Sequence, residues 1–210
     1  PENVYFTNYA DYKNLFVRNA DGSLAYINNT TMNLGGQIAA GVDVSANWEI
    51  ANNRYGKFDA ALDGTYLTRF DNQLVPNGPW MSNVGQFGWA SNGTTSSYPI
   101  ITFRWKHNLR LKWQSGDYSA QLTNNFNSAY RDANTAVASQ YFRDIPSFST
   151  WNLTGSIRVQ KQVRITAGVT NLFDKAPPLT NNTIYSNGYL SSVANPTGRT
   201  WNLRVSYDFD

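Results

Sequence analysis

Ile101-Thr102-Phe103-Arg104-Trp105-Lys106-His107-Asn108-Leu109-Arg110-Leu111-Lys112-Trp113 alternates apolar and polar side chains along its whole length, broken only at His107. Successive side chains of a β-strand point to opposite faces. The stretch therefore reads as one strand with an oily face (Ile101, Phe103, Trp105, Leu109, Leu111, Trp113) and a charged one (Thr102, Arg104, Lys106, Asn108, Arg110, Lys112). Soluble strands are commonly about five or six residues long. A strand that crosses a bilayer needs about 9–11 residues, alternating apolar outward and polar inward. The length and the alternation together point to a membrane barrel wall.

Six further segments repeat the pattern. Leu34–Ile50 carries Leu34, Ile38, Val42, Val44, Trp48 and Ile50 on one face, and Lys57–Phe70 carries Phe58, Leu62, Tyr66 and Phe70. Tyr118, Ala120, Leu122, Phe126 and Tyr130 mark the next strand, opposite Gln121, Thr123, Asn125 and Asn127. Trp151, Leu153, Ile157 and Val159 mark another; Val163, Ile165, Ala167 and Val169 follow, in a strand expected to end near Phe173. Trp201, Leu203, Val205, Tyr207 and Phe209 close the series. The connections alternate short, long, short, medium, short, long, the long ones spanning 71–99, 132–146 and 174–196. In an antiparallel meander this parity gathers all tight turns at one rim and all large loops at the other, as in outer-membrane barrels. The expected fold is all-β: an antiparallel transmembrane β-barrel segment of about seven long meander strands. Upstream, Asp21-Gly22 between Leu15–Arg18 and Leu24–Ile27 signals a short hairpin. Residues 1–33 are read as an extracellular loop and 34–210 as barrel strands.

Seven strands do not close a barrel of even strand count, and an open edge in lipid leaves unpaired backbone groups costing several kcal/mol each. The segment is thus expected to be an arc of a larger barrel, its first and last strands unpaired with each other.

Composition agrees. Mean hydropathy is −0.48 over 210 residues, which alternation explains, and no apolar run reaches helix-spanning length. Aromatics make up 15% of the chain, including 7 Trp and 13 Tyr, which suits interfacial girdles at Trp48, Trp105, Trp113 and Trp201. With no cysteine there is neither a disulfide framework nor a thiolate metal site. The net charge of +3 is spread out, unlike the clustered basic face of a nucleic-acid binder.

Catalytic signals are weak, and no enzyme is expected. The single histidine, His107, falls on the apolar face, away from the lumen; a lipase-like site on that face is the functional reading, and a single polar residue on the outer face is the plainer one. Asp59 and Asp63 face inward among cations, which favours ion pairing over a glycosidase pair. No phosphate loop, zinc spacing or calcium loop is present, and no cofactor is expected. Two groups remain as binding candidates. The row Arg104, Lys106, Arg110, Lys112 faces the lumen and would attract an anionic ligand or an acidic plug surface; the plainer reading is pairing with Asp59 and Asp63 across the strands. Trp80, Trp89 and Tyr98 in one long loop, with Tyr185 and Tyr189 in the last, could stack on a sugar or a flat siderophore, or pack the loops on each other.

Several motifs carry a family resemblance. Asn171-Leu172-Phe173-Asp174-Lys175-Ala176-Pro177-Pro178 resembles the segment closing the penultimate strand of TonB-dependent outer-membrane receptors, and Gly198-Arg199-Thr200 leading to Tyr207-Asp208-Phe209 resembles their final strand. Asn33-Leu34-Gly35-Gly36 with Gly41-Val42-Asp43 is similar to a stretch in many proteobacterial members. The resemblance covers residues 14–209 and implies the last seven strands of a 22-stranded barrel whose plug domain lies outside this chain. It further implies residence in the outer membrane of a Gram-negative bacterium and active uptake of a siderophore, vitamin or oligosaccharide. The implied partners are outer-membrane lipid, the remaining strands and plug, the TonB energy transducer, and the barrel-assembly machinery through Trp201–Phe209. Family members usually end in an aromatic residue, whereas here Asp210 follows Phe209. A passive channel or adhesin barrel without a plug is the alternative, and a soluble all-β binding module is a third reading.

Overall fold

The computed structural model describes residues 6, 9–28, 35–73, 80–87, 90–91, 94–95, 101–132, 143–180, 188–191 and 193–209. The chain divides into two units, residues 1–38 with 71–81, and residues 39–70 with 82–210.

In the first unit a short helix α1 (Tyr9–Tyr12) and a 3₁₀ turn (Lys13–Leu15) lead into the hairpin β1 (Phe16–Arg18) and β2 (Leu24–Ile27), where the Asp-Gly signal placed it. Phe6 and Tyr9 meet Phe16 edge-on at 5.4 and 4.9 Å between ring centroids. At the hairpin tip the Ser23 hydroxyl, and then the Ser23 N–H, hold the Asp21 carboxylate below the usual carboxylate range.

The wall is a meander of seven strands: β3 (Gly36–Asn53), β4 (Gly56–Gln73), β10 (Trp105–Ser115), β11 (Tyr118–Asn127), β14 (Phe148–Gln160), β15 (Val163–Thr170) and β16 (Thr200–Tyr207). Each pairs antiparallel with its neighbours in that order wherever the register is defined. The first two are 18 residues long, well beyond a soluble strand. β15 stops at Thr170, three residues short of the expected end, because Asn171 turns into the left-handed region. β3 and β16 lie at opposite ends of the ladder and do not pair, as expected.

The register keeps the two faces apart. One row runs Leu111, Leu122, Leu153, Val169, Trp201; another runs Trp113, Ala120, Gly155, Ala167, Leu203. On the other face Asp59 stands opposite Lys112, which stands opposite Gln121. The tight turns lie at one end, at Arg54–Tyr55, Gly116–Asp117 and Lys161–Gln162. At the first, a Cβ on Gly56 (φ 117°) would meet the Gln114 carbonyl oxygen at 2.4 Å, so only glycine fits there.

At the opposite end the connections build structure of their own. The remaining short strands are β5 (Trp80–Ser82), β6 (Gln86–Phe87), β7 (Ala90–Ser91), β8 (Thr94–Thr95), β9 (Ile101–Thr102), β12 (Tyr130–Asp132) and β13 (Arg143–Ile145). β13, β12, β6 and β9 form a separate four-stranded sheet. This corrects the reading of Ile101–Trp113 as one strand: the wall strand starts at Trp105, and Ile101-Thr102 pairs with β6 instead. Burial drives the departure. Phe87, Tyr130, Ile145 and Leu190 make a closed core against which Ile101, Phe103 and Val193 pack, so Ile101 and Phe103 leave the wall face for an apolar site inside the loops. Segments of all three long connections thus meet in one core.

The last long loop is clasped at its base. Asn171 and Asp174 both hold φ of 53°, a region open to Asn and Asp at low cost. The Asn171 side chain accepts from the Lys175 N–H at 2.9 Å and donates to the Lys175 carbonyl at 3.0 Å. Asp174 Oδ1 accepts from the Arg199 N–H at 2.8 Å, and a Cβ on Gly198 (φ 73°) would meet that same oxygen at 2.8 Å. Both ends of loop 174–197 are therefore joined immediately before β16. Gly198→Ala should cost about 1–2 kcal/mol from backbone strain alone, and Asp174→Ala about 1 kcal/mol from the lost hydrogen bond. Thermal unfolding in detergent reads both; a Gly198→Ala protein as stable as wild type would remove the clasp from the account.

Candidate functional site

Three features of the wall and its loops bear on function. The first is the polar face, where β3, β4 and β10 are stitched by cross-strand contacts. Ser45 Oγ donates to Asp63 Oδ1 and Thr65 Oγ1 to Asp43 Oδ1, each at 2.8 Å. Arg110 pairs with the other oxygen of Asp63 at 2.6 Å, and Lys57 bridges Glu49 and Asp59 at 3.3 and 3.2 Å. These groups are about half exposed, so solvent screens each pair and its contribution is small. A hollow of about 600 Å³ opens on this face, lined by Asp43, Ser45, Asp63, Thr65, Lys106 and Asn108 among others.

The row of four cations is divided by the structure. Arg110 is tied to Asp63, as the plainer reading anticipates, whereas Lys112 stands opposite Asp59 in register while Asp59 is ion-paired with Lys57. Lys106 lines the hollow. Arg104 lies off the wall strand, at the bend between β9 and β10, where its carbonyl accepts the Leu67 N–H at 2.9 Å.

The second feature is the loop aromatics. Trp80 is 43% exposed, and its ring lies against the bare backbone of Gly36, where a Cβ would meet it at 2.8 Å. Tyr189 is half-buried next to Leu190 of the loop core. Trp89, Tyr98 and Tyr185 lie outside the described residues, as do Asn33, Leu34 and Asp210. The loop core also holds a contact that the sequence does not signal. Asp132, 1% exposed, accepts a hydrogen bond from the Thr180 hydroxyl and ties the strand before one loop to the next loop, 48 residues away. No local pattern links residues so far apart.

The third feature is on the apolar face, at His107. Trp105 Nε1–H donates to His107 Nδ1 at 2.8 Å, so the ring proton sits on Nε2, which faces Asn124 Oδ1 at 3.1 Å. Asn124 Nδ2 in turn donates to Ser149 Oγ and to the Thr150 carbonyl at 2.8 and 3.1 Å. The imidazole stacks on Phe126 at 5.0 Å, and Asn124 is 5% exposed. A buried polar group must be paired, and here every member finds its partner within the wall. Both ring nitrogens of His107 are taken, by Trp105 and Asn124, and Ser149 Oγ meets Asn124 and not the imidazole, so no hydroxyl is placed for activation by His107 and the chain has no hydrolytic geometry. His107 was legible as a break in alternation; Asn124 was missed because an asparagine between Thr123 and Asn125 looks like ordinary polar-face sequence.

The family model described as TonB dependent receptor-like, beta-barrel matches residues 4–172. The chain belongs to that family. No curated protein matches the receptor chain. Among solved structures it is similar to the ferric enterobactin receptor PfeA of Pseudomonas aeruginosa, seen as the G324V mutant, with 20% identity and a TM-score of 0.55 over 82% of this chain and 22% of that one. The Q482A mutant of the same receptor, in complex with enterobactin, gives 18% identity and a TM-score of 0.55 over 82% and 23%. The siderophore receptor PiuA of Acinetobacter baumannii gives 16% identity and a TM-score of 0.52 over 91% and 24%. The receptor chain thus spans about a quarter or less of the length of these proteins, and the likeness shows a shared barrel fold. The family match ends at Leu172, within the Asn171–Asp174 motif, so the final-strand motif that carried much of the resemblance lies beyond it.

The polar chain on the apolar face yields a test by its asymmetry. Asn124→Ala orphans the His107 ring N–H and should cost about 1–3 kcal/mol, whereas Trp105→Phe, His107→Phe and Asn124→Leu together remove the linked donors and acceptors as a set and should cost less. A triple variant that unfolds no higher than the Asn124→Ala protein would show that the orphaned N–H is not the source of the loss.

Proposed function

We propose that this chain is a wall segment of an outer-membrane TonB-dependent receptor that takes up a scarce nutrient in a Gram-negative bacterium, and that it acts as a transporter component, not an enzyme. The observation that carries the reading is the bare apolar face. Val42, Trp48, Ile50, Tyr118, Val159, Trp201, Leu203 and Val205 are all more than 40% exposed and all fall on the apolar parity of their strands. Leaving such side chains in water would forfeit about 1.5–3 kcal/mol apiece. A lipid surround removes that cost, and five of the seven wall strands, at 10 to 18 residues, are long enough to cross it. The polar face, with its hollow, then lines the interior.

The unpaired outer edges of β3 and β16 fit a partner of the same kind. Further strands of the same polypeptide would complete the ladder, since lipid cannot satisfy their N–H and C=O groups. The family membership supports a plug inside the barrel and a TonB contact outside this chain. Assembly through Trp201–Phe209 and residues 1–33 as an outer loop belong to the same reading.

The neighbouring structures are siderophore receptors by description, which supports a siderophore as the cargo class. Trp80, Trp89, Tyr98, Tyr185 and Tyr189 are the loop residues assigned to ligand contact. Trp80 presents an exposed ring, and the packed loop core gives Tyr189 a fixed base. Among the described residues Arg104, Lys106 and Lys112 form no ion pair, and these three members of the basic row would draw an anionic ligand inward. In the full receptor, replacing Trp80, Trp89, Tyr185 and Tyr189 singly with Ala should weaken siderophore binding several-fold while leaving heat-modifiable migration intact. Unchanged affinity in all four would reduce the aromatics to loop packing. A full-length protein that stays soluble and folded without detergent would overturn the membrane reading itself.

A further inference from the structure

Charge is distributed unevenly over the polar face. On β3, β4 and β10 acids and bases are interleaved and paired, as Lys57 with Glu49 and Asp59 and Arg110 with Asp63 show. On the last three strands the cations stand together. Arg158 of β14 lies directly opposite Arg164 of β15. Arg204 of β16, opposite Thr166, is the diagonal neighbour of Arg164, which faces Ser206. Like charges directly opposite on one face destabilise a strand pair. Among the described residues none of the three arginines forms an ion pair; the one side-chain bond among them runs from Arg164 to Ser156 Oγ at 3.4 Å. The acids nearby in register do not relieve the cluster. Asp117 lines a hollow with Arg158 and Arg164, and Asp208 lies two residues beyond Ser206, but among the described residues neither makes an ion pair with them.

The surroundings suit an anion. A hollow of about 290 Å³ is lined by Arg158, Arg164, Lys112, Gln114 and Ser119 together with Asp117, and it adjoins a second of about 250 Å³ that shares Lys112, Ser119 and Arg164 and adds Ser156 and Thr166. Guanidinium forks with hydroxyl and amide donors around them match the geometry of a carboxylate or phosphate. All three arginines are exposed on the polar face near the tight-turn rim, at the opposite end of the wall from the loop core.

We propose that Arg158, Arg164 and Arg204 form an oxyanion site on the inner wall, in which a bridging carboxylate or phosphate turns a repulsive cross-strand cluster into a stabilising one. The oxyanion has two sources: carboxylates of the same polypeptide outside residues 1–210, or a free phosphate-type anion. The site follows from register and charge alone and does not depend on the uptake reading. Loss of siderophore binding in the loop variants would leave it untouched.

The sign of a substitution decides the matter. Full-length receptor in detergent at low ionic strength is compared with Arg164→Gln, Arg158→Gln and Arg164→Lys by thermal unfolding. If an oxyanion bridges the cluster, each Gln variant unfolds about 1–2 °C lower, Arg164→Lys, which keeps the charge and loses the fork, falls between wild type and Arg164→Gln, and the difference shrinks at 1 M salt, where screening acts within about 3 Å. If the arginines only repel one another, the Gln variants unfold at the same or a higher temperature, and the proposal fails. It fails equally if Arg164→Lys falls as far as Arg164→Gln, or if salt leaves the loss intact. Pyrophosphate titrated into dialysed protein separates the sources. A rise in the wild-type midpoint that the Gln variants lack assigns a free anion, and no rise alongside the Gln losses assigns carboxylates of the polypeptide itself.

Discussion

The continuous antiparallel ladder governs everything else in this chain. Every backbone N–H and C=O of a strand needs a partner, and a wall with one apolar face cannot find those partners in lipid. From β4 through β16 the register runs from strand to strand with a single irregularity, between Arg158 and Gln160 beside the last tight turn. That continuity aligns leucine with leucine and valine with tryptophan across five strands. A slip of one residue anywhere would turn an entire strand inside out. Among the described residues the same constraint leaves β3 and β16 with one unpaired edge each.

Where alternation breaks, compensation is local and complete. His107 and Asn124 put polar groups on the apolar face, yet the chain from the Trp105 indole to the Thr150 carbonyl leaves each with a partner. Ile101 and Phe103 continue the alternating pattern, yet the chain bends at Arg104 and spends them on the loop core instead. The Asn171–Asp174 motif works the same way. Its left-handed residues end β15, and the Asp174 carboxylate then holds the Gly198-Arg199 entry to β16, so two motifs 25 residues apart are halves of one clasp.

For a receptor, these devices divide the work. The wall supplies two faces of opposite character, and the clasp and the loop core convert long connections into packed structure. Loop aromatics that are to hold a ligand need such a base, because a ring on an unanchored loop would lose conformational entropy on binding. The paired charges on β3, β4 and β10 contrast with the arginine cluster on β14, β15 and β16, and this asymmetry across one face is the least expected property of the wall.

Sequence alone determined the seven wall strands, their order, their two faces, the parity of turns and loops and the hairpin at Asp21-Gly22, because each rests on a period of two or on turn chemistry confined to a few neighbouring residues. It also reached the family, through Asn171–Asp174 and the final strand. What tertiary structure decided is everything that depends on residues distant in the chain. The start of the wall strand at Trp105 was set by a core contributed from three loops. The burial of Asn124 depended on His107 and Ser149 arriving from neighbouring strands, and that of Asp132 on Thr180. Arg158 and Arg164 fall on the polar parity of their strands, but only the register makes them face each other. Alternation specifies which side of a strand a residue takes; which residue stands opposite it is fixed only when the strands have paired.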